Sequence, residues 1–552
     1  MNVELLELLE QKNRALAMQM QGKHQKAEKV GALQHLPKLP EGDGVLCLYQ
    51  GFQFDSLEPL STWLEAHESC QLIFLEKDIQ GVKALLRHRD IIKLLQQPRV
   101  EVGLVEQWSD EKLAKLAWTY VFKELYWVSS EEAYELQERF QSAFREAFVT
   151  CSEYRDYGLK VMSNIYANMF LLPRSKEGRR LTMQGIPAFI CGAGPSLAQL
   201  LPTMSQLLSL GVVFAGGASF SSQEMTHVDL GACIDPSPPY ARYKESMHVE
   251  TPLMYQLRLS HEVLKIMHGV KIFFPGSGEY FLEQELFADC GETCAPLPSG
   301  WNVANFMATV AAEMGCDPIV LIGVDMCYER AQEYGVQVVG DQVKNECSIT
   351  LADGTEKMSR KDLLMGRHFF SSLVERYPSQ RFINATVGGL PIEGMMHRPL
   401  QEIIASLSMR YDIKGLLHTQ LTLLPEVSIQ EEAIKSFQQN MQRSLRSVAN
   451  LLDIMLAELE KSYLHQKENI SKNYWGAAGV LAESDLEEEM AYRAILQPVW
   501  RAWKWALLRR EEQDSFEDRL QKTLFLKSVL QQHEALLEKI YTVRTGYGAG
   551  CL

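Results

Sequence analysis

A loop with two closely spaced glycines is the clearest chemical signal in the sequence. It reads Cys191-Gly-Ala-Gly-Pro-Ser196, follows an apolar segment and precedes a helical pattern. Glycine lets the backbone turn sharply and lets a ligand approach closely, and Pro195 suits the first turn of a helix. Ser196 adds a hydroxyl at a helix N-terminus, where unpaired N–H groups and the helix dipole attract anions. The candidate phosphate-binding residues are Gly192, Ala193, Gly194, Pro195 and Ser196.

Two common nucleotide classes fit this loop poorly. The dinucleotide fingerprint requires a third glycine, where Leu197 stands, and an acidic residue about twenty positions later, at the end of the second strand. The second strand here ends in Ala215-Gly-Gly-Ala-Ser219, without an acid. NAD and S-adenosylmethionine are therefore disfavoured. No Gly-x-x-x-x-Gly-Lys-Ser/Thr segment occurs in the sequence, which disfavours a P-loop kinase.

Five further segments rich in glycine and polar residues follow apolar, strand-like segments. In a doubly wound sheet the carboxyl ends of the strands share one edge, and ligands bind there. Any one of these segments alone is explained by a turn, but together they predict a ligand site of which the glycine loop is one wall. The segments are 234–237 with Asp235, 275–278, 298–302 with Ser299 and Gly300, 323–328 with Asp325 and Tyr328, and 384–389 with Asn384.

The alternation of strands and helices in residues 156–410 supplies such a sheet. Six mostly apolar segments are typical of strands that are covered on both faces. Strands separated by helices indicate a parallel sheet. The predicted fold class is therefore α/β, with a central doubly wound, Rossmann-like domain. The predicted strands are 188–191, 212–216, 231–234, 270–274, 319–322 and 381–384.

A smaller domain is predicted on each side of the central one. Residues 1–155 contain predicted strands at 45–49, 71–75 and 100–105 separated by helical patterns, which indicates a small α/β accessory domain. Residues 411–552 have helical periodicity and are predicted to form a C-terminal helical domain. Its predicted long helices are 427–466, 484–510 and 515–541.

The overall composition sets limits on partners and location. The 552 residues have a net charge of −15, which disfavours nucleic acid and anionic lipid as non-specific ligands. No apolar run reaches membrane-spanning length, and Met1–Gln21 lacks the basic start and apolar centre of a signal peptide. Cytoplasmic residence is therefore expected. The 11 cysteines do not show the paired spacing of a zinc site, so no metal site is predicted.

Four ordered motifs resemble those of the motility accessory factor proteins, bacterial enzymes implicated in transferring nonulosonic (sialic-like) sugars onto flagellin. The central domain of that family is shared with the archaeal 6-hydroxymethylpterin pyrophosphokinase. It is also similar in fold to bacterial CMP-sialic acid sialyltransferases. The motifs lie within residues 185–400 and read Gly192-Ala-Gly-Pro-Ser-Leu197, Ile234-Asp-Pro-Ser-Pro-Pro239, Gly323-Val-Asp-Met326 and Asn384-Ala-Thr-Val-Gly-Gly389.

The resemblance implies roles for individual residues. The loop 192–196 would hold the phosphate of a nucleotide-activated donor. Asp235 and Asp325 would lie beside the sugar or pyrophosphate, and the Tyr328 hydroxyl would stabilise the departing phosphate. The further nucleotide-binding residues would be Ala218, Ser219, Ser299, Gly300 and Asn384.

One feature of the sialyltransferases is missing. They use a histidine before a helix late in the domain as general base, but the comparable stretch here, 353–359, contains none. His368 and His397 are the nearest histidines, and neither occupies the matching position. Asp235 or Asp325 with a raised pKa is the candidate replacement.

Three functions remain open. The first is a glycosyltransferase that moves a sugar from a nucleotide-linked donor, preferably CMP-linked, to a protein hydroxyl, with flagellin as the acceptor by family precedent alone. It needs no tightly bound cofactor. The second is a pterin diphosphokinase that uses ATP and Mg²⁺, with Asp235 and Asp325 as candidate metal ligands. The third is a non-catalytic interaction protein that retains the nucleotide fold.

Overall fold

A computed structural model describes residues 3–21, 39, 44–49, 57–67, 70–88, 90–129, 133–244, 246–276, 280–328, 346–351, 354–467, 475–508 and 515–546. The chain divides into two compact units. The first comprises Met1–Cys151 and Ala502–Gln513, and the second comprises Ser152–Arg501 and Asp514–Leu552. The predicted domain boundaries at 155/156 and 410/411 stay predictions.

The first unit is built on a four-stranded parallel sheet in the order β3-β2-β1-β4. Its strands are β1 (Gly44–Tyr49), β2 (Gln71–Glu76), β3 (Val100–Leu104) and β4 (Glu124–Ser129). The three predicted strands are present, and β4 is an additional one at the sheet edge. Its helices are α1 (Val3–Lys12), α2 (Arg14–Gln21), α3 (Glu58–Ala66), α4 (Ile79–Leu85), α5 (Ile91–Leu95) and α6 (Asp110–Thr119).

Alternating side chains of this sheet enter two separate apolar cores. Leu46 and Leu48 pack with the helices on one face, whereas Val45 and Cys47 belong to the core on the other. Both faces are covered because successive side chains of a strand point in opposite directions. The continuous apolar character of β1 follows from this double burial.

The second unit contains a nine-stranded, all-parallel sheet in the order β15-β14-β11-β6-β7-β8-β9-β10-β5. An antiparallel hairpin of β12 and β13 accompanies it. The strands are β5 (Lys176–Glu177), β6 (Ala188–Cys191), β7 (Val212–Gly216), β8 (Leu230–Cys233), β9 (Leu253–Tyr255), β10 (Lys271–Phe273), β11 (Ile319–Ile322), β12 (Glu346–Thr350), β13 (Glu356–Arg360), β14 (Phe382–Asn384) and β15 (Met396–His397).

The strand order reverses between β6 and β11. The chain builds outward from β6 to β10 and then returns to place β11 on the other side of β6. This is the doubly wound arrangement that the sequence predicts, and the prediction is confirmed. In such sheets the crevice at the reversal point is where ligands bind. Here the segments following β6 and β11 contain the loop 192–196 and Asp325.

Helices make up most of the rest of the second unit, including its C-terminal part. The helix α13 is almost entirely buried against β6, β7, β8 and β11. Within the described ranges, none of the helices combines the length and apolar character needed to cross a membrane. The helices are α7 (Tyr134–Asn168), which begins in the first unit, α8 (Leu197–Leu200), α9 (Ala218–Ser221), α10 (Tyr240–Lys244), α11 (His261–Ile266), α12 (Leu282–Asp289), α13 (Val303–Glu313), α14 (Lys361–Arg376), α15 (Leu400–Ser406), α16 (Ile413–Leu423), α17 (Glu431–Lys467), α18 (Ala477–Glu488), α19 (Gln497–Leu508), which ends in the first unit, and α20 (Phe516–Gly546).

The prediction of one continuous helix over residues 484–510 is wrong. The segment 484–510 was expected to be continuous, but α18 ends at Glu488 and a π-helical turn spans Tyr492–Leu496 before α19 begins. The extended backbone of Glu489 separates the two helices. The predicted helices at 427–466 and 515–541 correspond to α17 and α20.

Candidate functional site

The glycine loop packs directly against the segment that follows β11. Gly192 N donates to the carbonyl of Ile322 at 2.8 Å, and Gly194 N donates to that of Gly323 at 2.9 Å. A Cβ at position 192 would lie 2.4 Å from the Gly323 carbonyl oxygen, which is too close for any side chain. Gly192 is therefore required for the close approach of two protein backbones.

The Asp325 carboxylate lies at the turn of the glycine loop. Oδ2 of Asp325 accepts a 2.9 Å hydrogen bond from the Ser196 hydroxyl, and both carboxylate oxygens lie 3.3 Å from Ser196 N. A Cβ on Gly194 would be 2.1 Å from the same Oδ2. The position predicted for a phosphate is thus partly occupied by the protein's own anion. Ala193, Gly194 and Pro195 are partly exposed beside Asp325, and phosphate binding there stays a prediction.

The helix predicted to begin near Pro195 and Ser196 is short. It begins at Leu197, directly after Ser196, contains four residues, and continues as the 3₁₀ segment Leu201–Leu207. The Ser196 side chain does not cap it, because its hydroxyl donates to Asp325. A helix this short has a weak dipole. Attraction of an anion to the helix terminus is therefore a smaller effect than the sequence suggested.

The environment of Asp325 changes its acidity. The residue is 5% exposed, and this burial raises its pKa from 3.8 to about 6. The hydroxyl and N–H of Ser196 and the charge of Lys357 act in the opposite direction. Asp325 is therefore largely ionised at neutral pH but is more basic than an exposed aspartate. Those properties suit a general base.

The backbone around Asp325 is constrained. Gly323 has φ +64°, and Met326 has φ +57°, which is unfavourable for a residue with a side chain. The Asp325 carbonyl accepts from Leu390 N at 2.9 Å, and the Met326 carbonyl accepts from the Ser359 hydroxyl at 2.8 Å. These contacts hold the carboxylate in a fixed orientation toward the loop.

Tyr328 lies on the same segment but points its hydroxyl at another residue. It is 4% exposed, pairs by backbone hydrogen bonds with Met358, and donates its phenolic proton to Oε1 of Glu346 at 2.8 Å. This arrangement ties the segment after β11 to the β12–β13 hairpin. Stabilisation of a departing phosphate by Tyr328 stays a prediction.

Ser219 links the carboxyl ends of two strands. Its fully buried hydroxyl lies 2.7 Å from the Cys191 carbonyl oxygen and 3.0 Å from that of Gly216, and it accepts from Gly216 N at 3.1 Å. Its neighbour Ala218 is also buried. Because this hydroxyl is engaged with the backbone, contact of Ala218 and Ser219 with a nucleotide stays a prediction.

The segment containing Ser299 and Gly300 leads into the buried helix α13. Gly300 has φ +63°, and a Cβ there would lie 2.5 Å from Cβ of Asn305. Asn302 caps the helix by accepting from Asn305 N at 3.0 Å. Ser299 is 8% exposed. Gly300 is thus needed for the turn. A nucleotide contact of Ser299 and Gly300 stays a prediction.

Asn384 joins the ends of β14 and β11. Its Oδ1 accepts from Thr386 N at 2.9 Å, and the Thr386 hydroxyl accepts from Val324 N at 3.3 Å. The side chain is 4% exposed. Asn384 therefore supports the segment that carries Asp325, and its predicted nucleotide contact stays a prediction.

Asp235 lies further along the same edge, after β8. Its Oδ1 accepts from Ser237 N at 2.8 Å. Because β6 and β7 separate β8 from β11, the strand axes that lead to Asp235 and Asp325 are about 14 Å apart. The two carboxylates therefore follow strands that are not neighbours in the sheet, and their predicted role as joint Mg²⁺ ligands stays a prediction. Among the described residues there is no group of three or more potential metal ligands.

The two nearest histidines give no alternative base. His368 lies on α14 and His397 on β15, and both are exposed. Of the predicted catalytic residues, Asp325 is the one that the structure brings to the glycine loop.

Comparisons with known proteins agree with this architecture. Residues 162–331 match the family model described as 6-hydroxymethylpterin diphosphokinase MptE-like. The fold resembles the structure of MAf glycosyltransferase from Magnetospirillum magneticum AMB-1, with a TM-score of 0.51 and 16% sequence identity, over 99% of this chain and 87% of that one. The chain is similar to the motility accessory factor family. No functionally curated protein matches the sequence.

These findings confirm the resemblance predicted from the four motifs. The family-model match contains the loop 192–196, Asp235 and Asp325, although the Asn384 motif lies outside it. At 16% identity the structural likeness establishes a shared fold rather than a shared activity.

Sequence reasoning missed a buried acid at the same sheet edge. Glu283 lies at the start of α12, is 4% exposed, and accepts from Gly276 N at 2.8 Å through Oε1. Burial raises its pKa to about 8, while the Gly276 N–H and the Cys294 thiol lower it. The available signal was an acid within a helical pattern, five positions after the glycine-rich segment 275–278.

Proposed function

We propose that this chain is a glycosyltransferase that binds a nucleotide-activated sugar where the strand order reverses between β6 and β11. The observation that carries this proposal is the hydrogen-bonded pair of Ser196 and Asp325. It places a fixed, buried carboxylate beside the partly exposed glycine loop. The shared fold with a protein described as a glycosyltransferase supports the same reaction class.

In this proposal Asp325 acts as general base. An acceptor hydroxyl attacks the anomeric carbon of the donor sugar, and the bond between that carbon and the phosphate oxygen breaks. The electron pair leaves with the nucleotide phosphate, and the hydroxyl proton passes to the Asp325 carboxylate. Gly192 N, Gly194 N and Ser196 N donate within the protein, so in this proposal the Ala193 N–H is the loop group that stabilises the departing phosphate. Ser196 orients the carboxylate and lowers its pKa, so that it is ionised before the reaction.

The proposed donor is a CMP-linked nonulosonic sugar, and the proposed acceptor is a protein hydroxyl. Both follow from the resemblance to the motility accessory factor proteins, whose precedent for the acceptor is flagellin. The missing histidine base fits a proposal in which an aspartate takes that role.

Calorimetric titration of the full chain tests the donor class. CMP and CMP-N-acetylneuraminic acid are compared with UDP-N-acetylglucosamine and with ATP plus Mg²⁺. We expect binding of the two CMP compounds, with heat changes that disappear at preserved thermal stability in Ala193→Trp, a substitution at a partly exposed position of the loop. Absence of CMP and CMP-sugar binding to the wild-type chain would remove the main support for this function.

A second candidate, ATP-dependent diphosphate transfer to a pterin, is favoured by the family model that matches residues 162–331. It would require Mg²⁺, for which Asp235 and Asp325, whose strands are not neighbours, are the ligands expected from the sequence. Incubation with ATP, Mg²⁺ and 6-hydroxymethyl-dihydropterin, followed by phosphate NMR, distinguishes the two functions. Formation of AMP and pterin diphosphate would establish the diphosphokinase and overturn the glycosyltransferase proposal.

A further inference from the structure

One face of the β12–β13 hairpin is directed toward the segment that contains Asp325. Lys357 and Ser359 share this face, because they are two positions apart on β13. Ile349 also belongs to it, since it lies directly opposite Lys357 in the antiparallel pair. Ile349 packs against an apolar core of the second unit, and the buried Ser359 hydroxyl donates to the Met326 carbonyl at 2.8 Å. Lys357 therefore lies on the inward face of the hairpin.

Lys357 is a partly buried cation on this inward face. Lysine seldom lies inside a protein without an anionic partner. Burial raises the pKa of the Asp325 carboxyl group, and the positive charge of Lys357 acts against that rise. The hairpin is also fixed to the segment after β11, because Tyr328 N donates to the Met358 carbonyl at 2.8 Å and Met358 N donates back at 3.1 Å. The ammonium group and the carboxylate therefore belong to one site.

A phosphate at the glycine loop requires a positive charge close by. The chain has a net charge of −15, and the Asp325 carboxylate lies at the turn of the loop, so both repel an anion. The four-residue helix α8 offers only a weak dipole in compensation. An ammonium group beside the carboxylate offsets this repulsion, since lysine binds phosphate as a point charge.

We propose that Lys357 is a phosphate-binding residue of this site, whose ammonium group holds the phosphate of a nucleotide beside Asp325. The proposal rests on the proposed function in that the phosphate belongs to the nucleotide-activated donor, although the same chemistry would bind the phosphates of ATP. In glycosyl transfer the ammonium group neutralises the charge that develops on the departing phosphate. It also keeps Asp325 ionised while an anion is bound nearby.

Calorimetric titration of Lys357→Gln in the full chain tests the proposal. Glutamine removes the charge, and Lys414→Gln, at an exposed position of α16, is the matched control for the loss of a positive charge. We expect CMP to bind Lys357→Gln about tenfold more weakly than the wild type, the effect of one lost charge-assisted hydrogen bond. Lys357→Arg, which keeps the charge, should bind CMP almost as well as the wild type. The difference should decrease at high salt.

A parallel titration with ADP separates this proposal from the proposed function. A wild-type chain that binds ADP but not CMP would contradict the glycosyltransferase, whereas a weaker ADP affinity of Lys357→Gln would still support phosphate binding by Lys357. Equal affinities of Lys357→Gln and Lys414→Gln for every nucleotide that the wild type binds would overturn the role of Lys357 and leave the proposed function intact. Equal losses in Lys357→Gln and Lys357→Arg would also overturn it, because the charge would then not be responsible. A wild-type chain that binds neither nucleotide overturns both.

Thermal unfolding tests the position of Lys357 without a ligand. Its attraction to Asp325 stabilises the fold only where that carboxyl group is ionised, which is above its pKa of about 6. Lys357→Gln should therefore lower the unfolding temperature more at pH 7.5 than at pH 4.5, and this pH dependence should disappear in an Asp325→Asn background. A pH dependence that persists in that background, or none in the wild-type background, would place Lys357 away from the carboxylate and overturn the proposal. Lys357→Met, which keeps the alkyl chain, serves if Lys357→Gln does not fold.

Discussion

The Ser196 hydroxyl donates a 2.9 Å hydrogen bond to Oδ2 of Asp325, although the two residues are 129 positions apart in the chain. The bond joins the turn after β6 to the segment after β11. It therefore links the two sides of the crevice at the point where the strand order of the sheet reverses. Because Ser196 N also lies 3.3 Å from both carboxylate oxygens, the loop and the carboxylate form one unit, and each is expected to respond to changes in the other.

Replacing Ser196 by alanine is expected to raise the pKa of Asp325 above about 6, because the serine hydroxyl stabilises the ionised form. The acidic limb of the pH profile of kcat/KM should move upward by about one pH unit. Ser221→Ala is the matched control, since that buried hydroxyl donates to the Ala218 carbonyl. An acidic limb that stays in place in Ser196→Ala would show that Asp325 is not the titrating base.

Replacing Asp325 by asparagine separates catalysis from stability. The folded-state pKa of about 6 lies above the ordinary value of 3.8, so the native state binds the proton more tightly, and stability decreases as pH rises between these values. We expect Asp325→Asn to lose activity yet to unfold at a higher temperature than the wild type at pH 7.5, with at most about 3 kcal/mol gained.

The stability gain of Asp325→Asn should shrink as the pH falls from about 6 toward 4, since the wild-type carboxyl group is then protonated as well. Thermal unfolding followed by circular dichroism over this range measures the trend. A gain that is independent of pH would mean that the substitution acts through packing rather than through the charge.

The strands of the central sheet could be predicted from the sequence because their burial on both faces produces short, continuous apolar segments. β6, β7 and β11 have the predicted bounds. The edge strand β4 was missed because its side chains are mostly half-exposed and its segment lacks such a pattern. Burial in the sheet was not sufficient by itself, because the fully buried three-residue strand β9 was also missed.

The site was predictable in its parts but not in its contacts. The motifs that contain Ser196 and Asp325 can both be recognised in the sequence. No local pattern, however, indicates that the Asp325 carboxylate lies at the turn of the glycine loop. Glu283 was missed for a related reason. Its burial results from packing between segments that are distant in the chain, such as Gln256 and Gly276.

Gly194→Ala tests whether the close approach of Asp325 is needed for the loop conformation. The new Cβ would lie 2.1 Å from Oδ2 of Asp325, so the carboxylate or the turn must move. We expect loss of nucleotide binding by calorimetry together with a lower unfolding temperature. Gly158→Ala is the control, because a Cβ in that part of α7 has its nearest contact at 4.0 Å and alanine favours a helix. Equal nucleotide affinity in both variants would contradict the proposed role of the loop.

Glu283→Gln tests the protonation state of the second acid. Its folded-state pKa of about 8 lies above the ordinary value of 4.5, chiefly because of burial. The native state therefore holds the proton more tightly, and wild-type stability should fall as pH rises from about 4.5 through 8. Glutamine is neutral at every pH, so the variant should be the more stable protein at pH 9, with a smaller difference at pH 5. Urea unfolding at both values measures this, with the exposed Glu262→Gln on α11 as control for the loss of a surface charge. A wild-type chain that loses no stability relative to Glu283→Gln between pH 5 and pH 9 would show that the carboxyl is already ionised at pH 5.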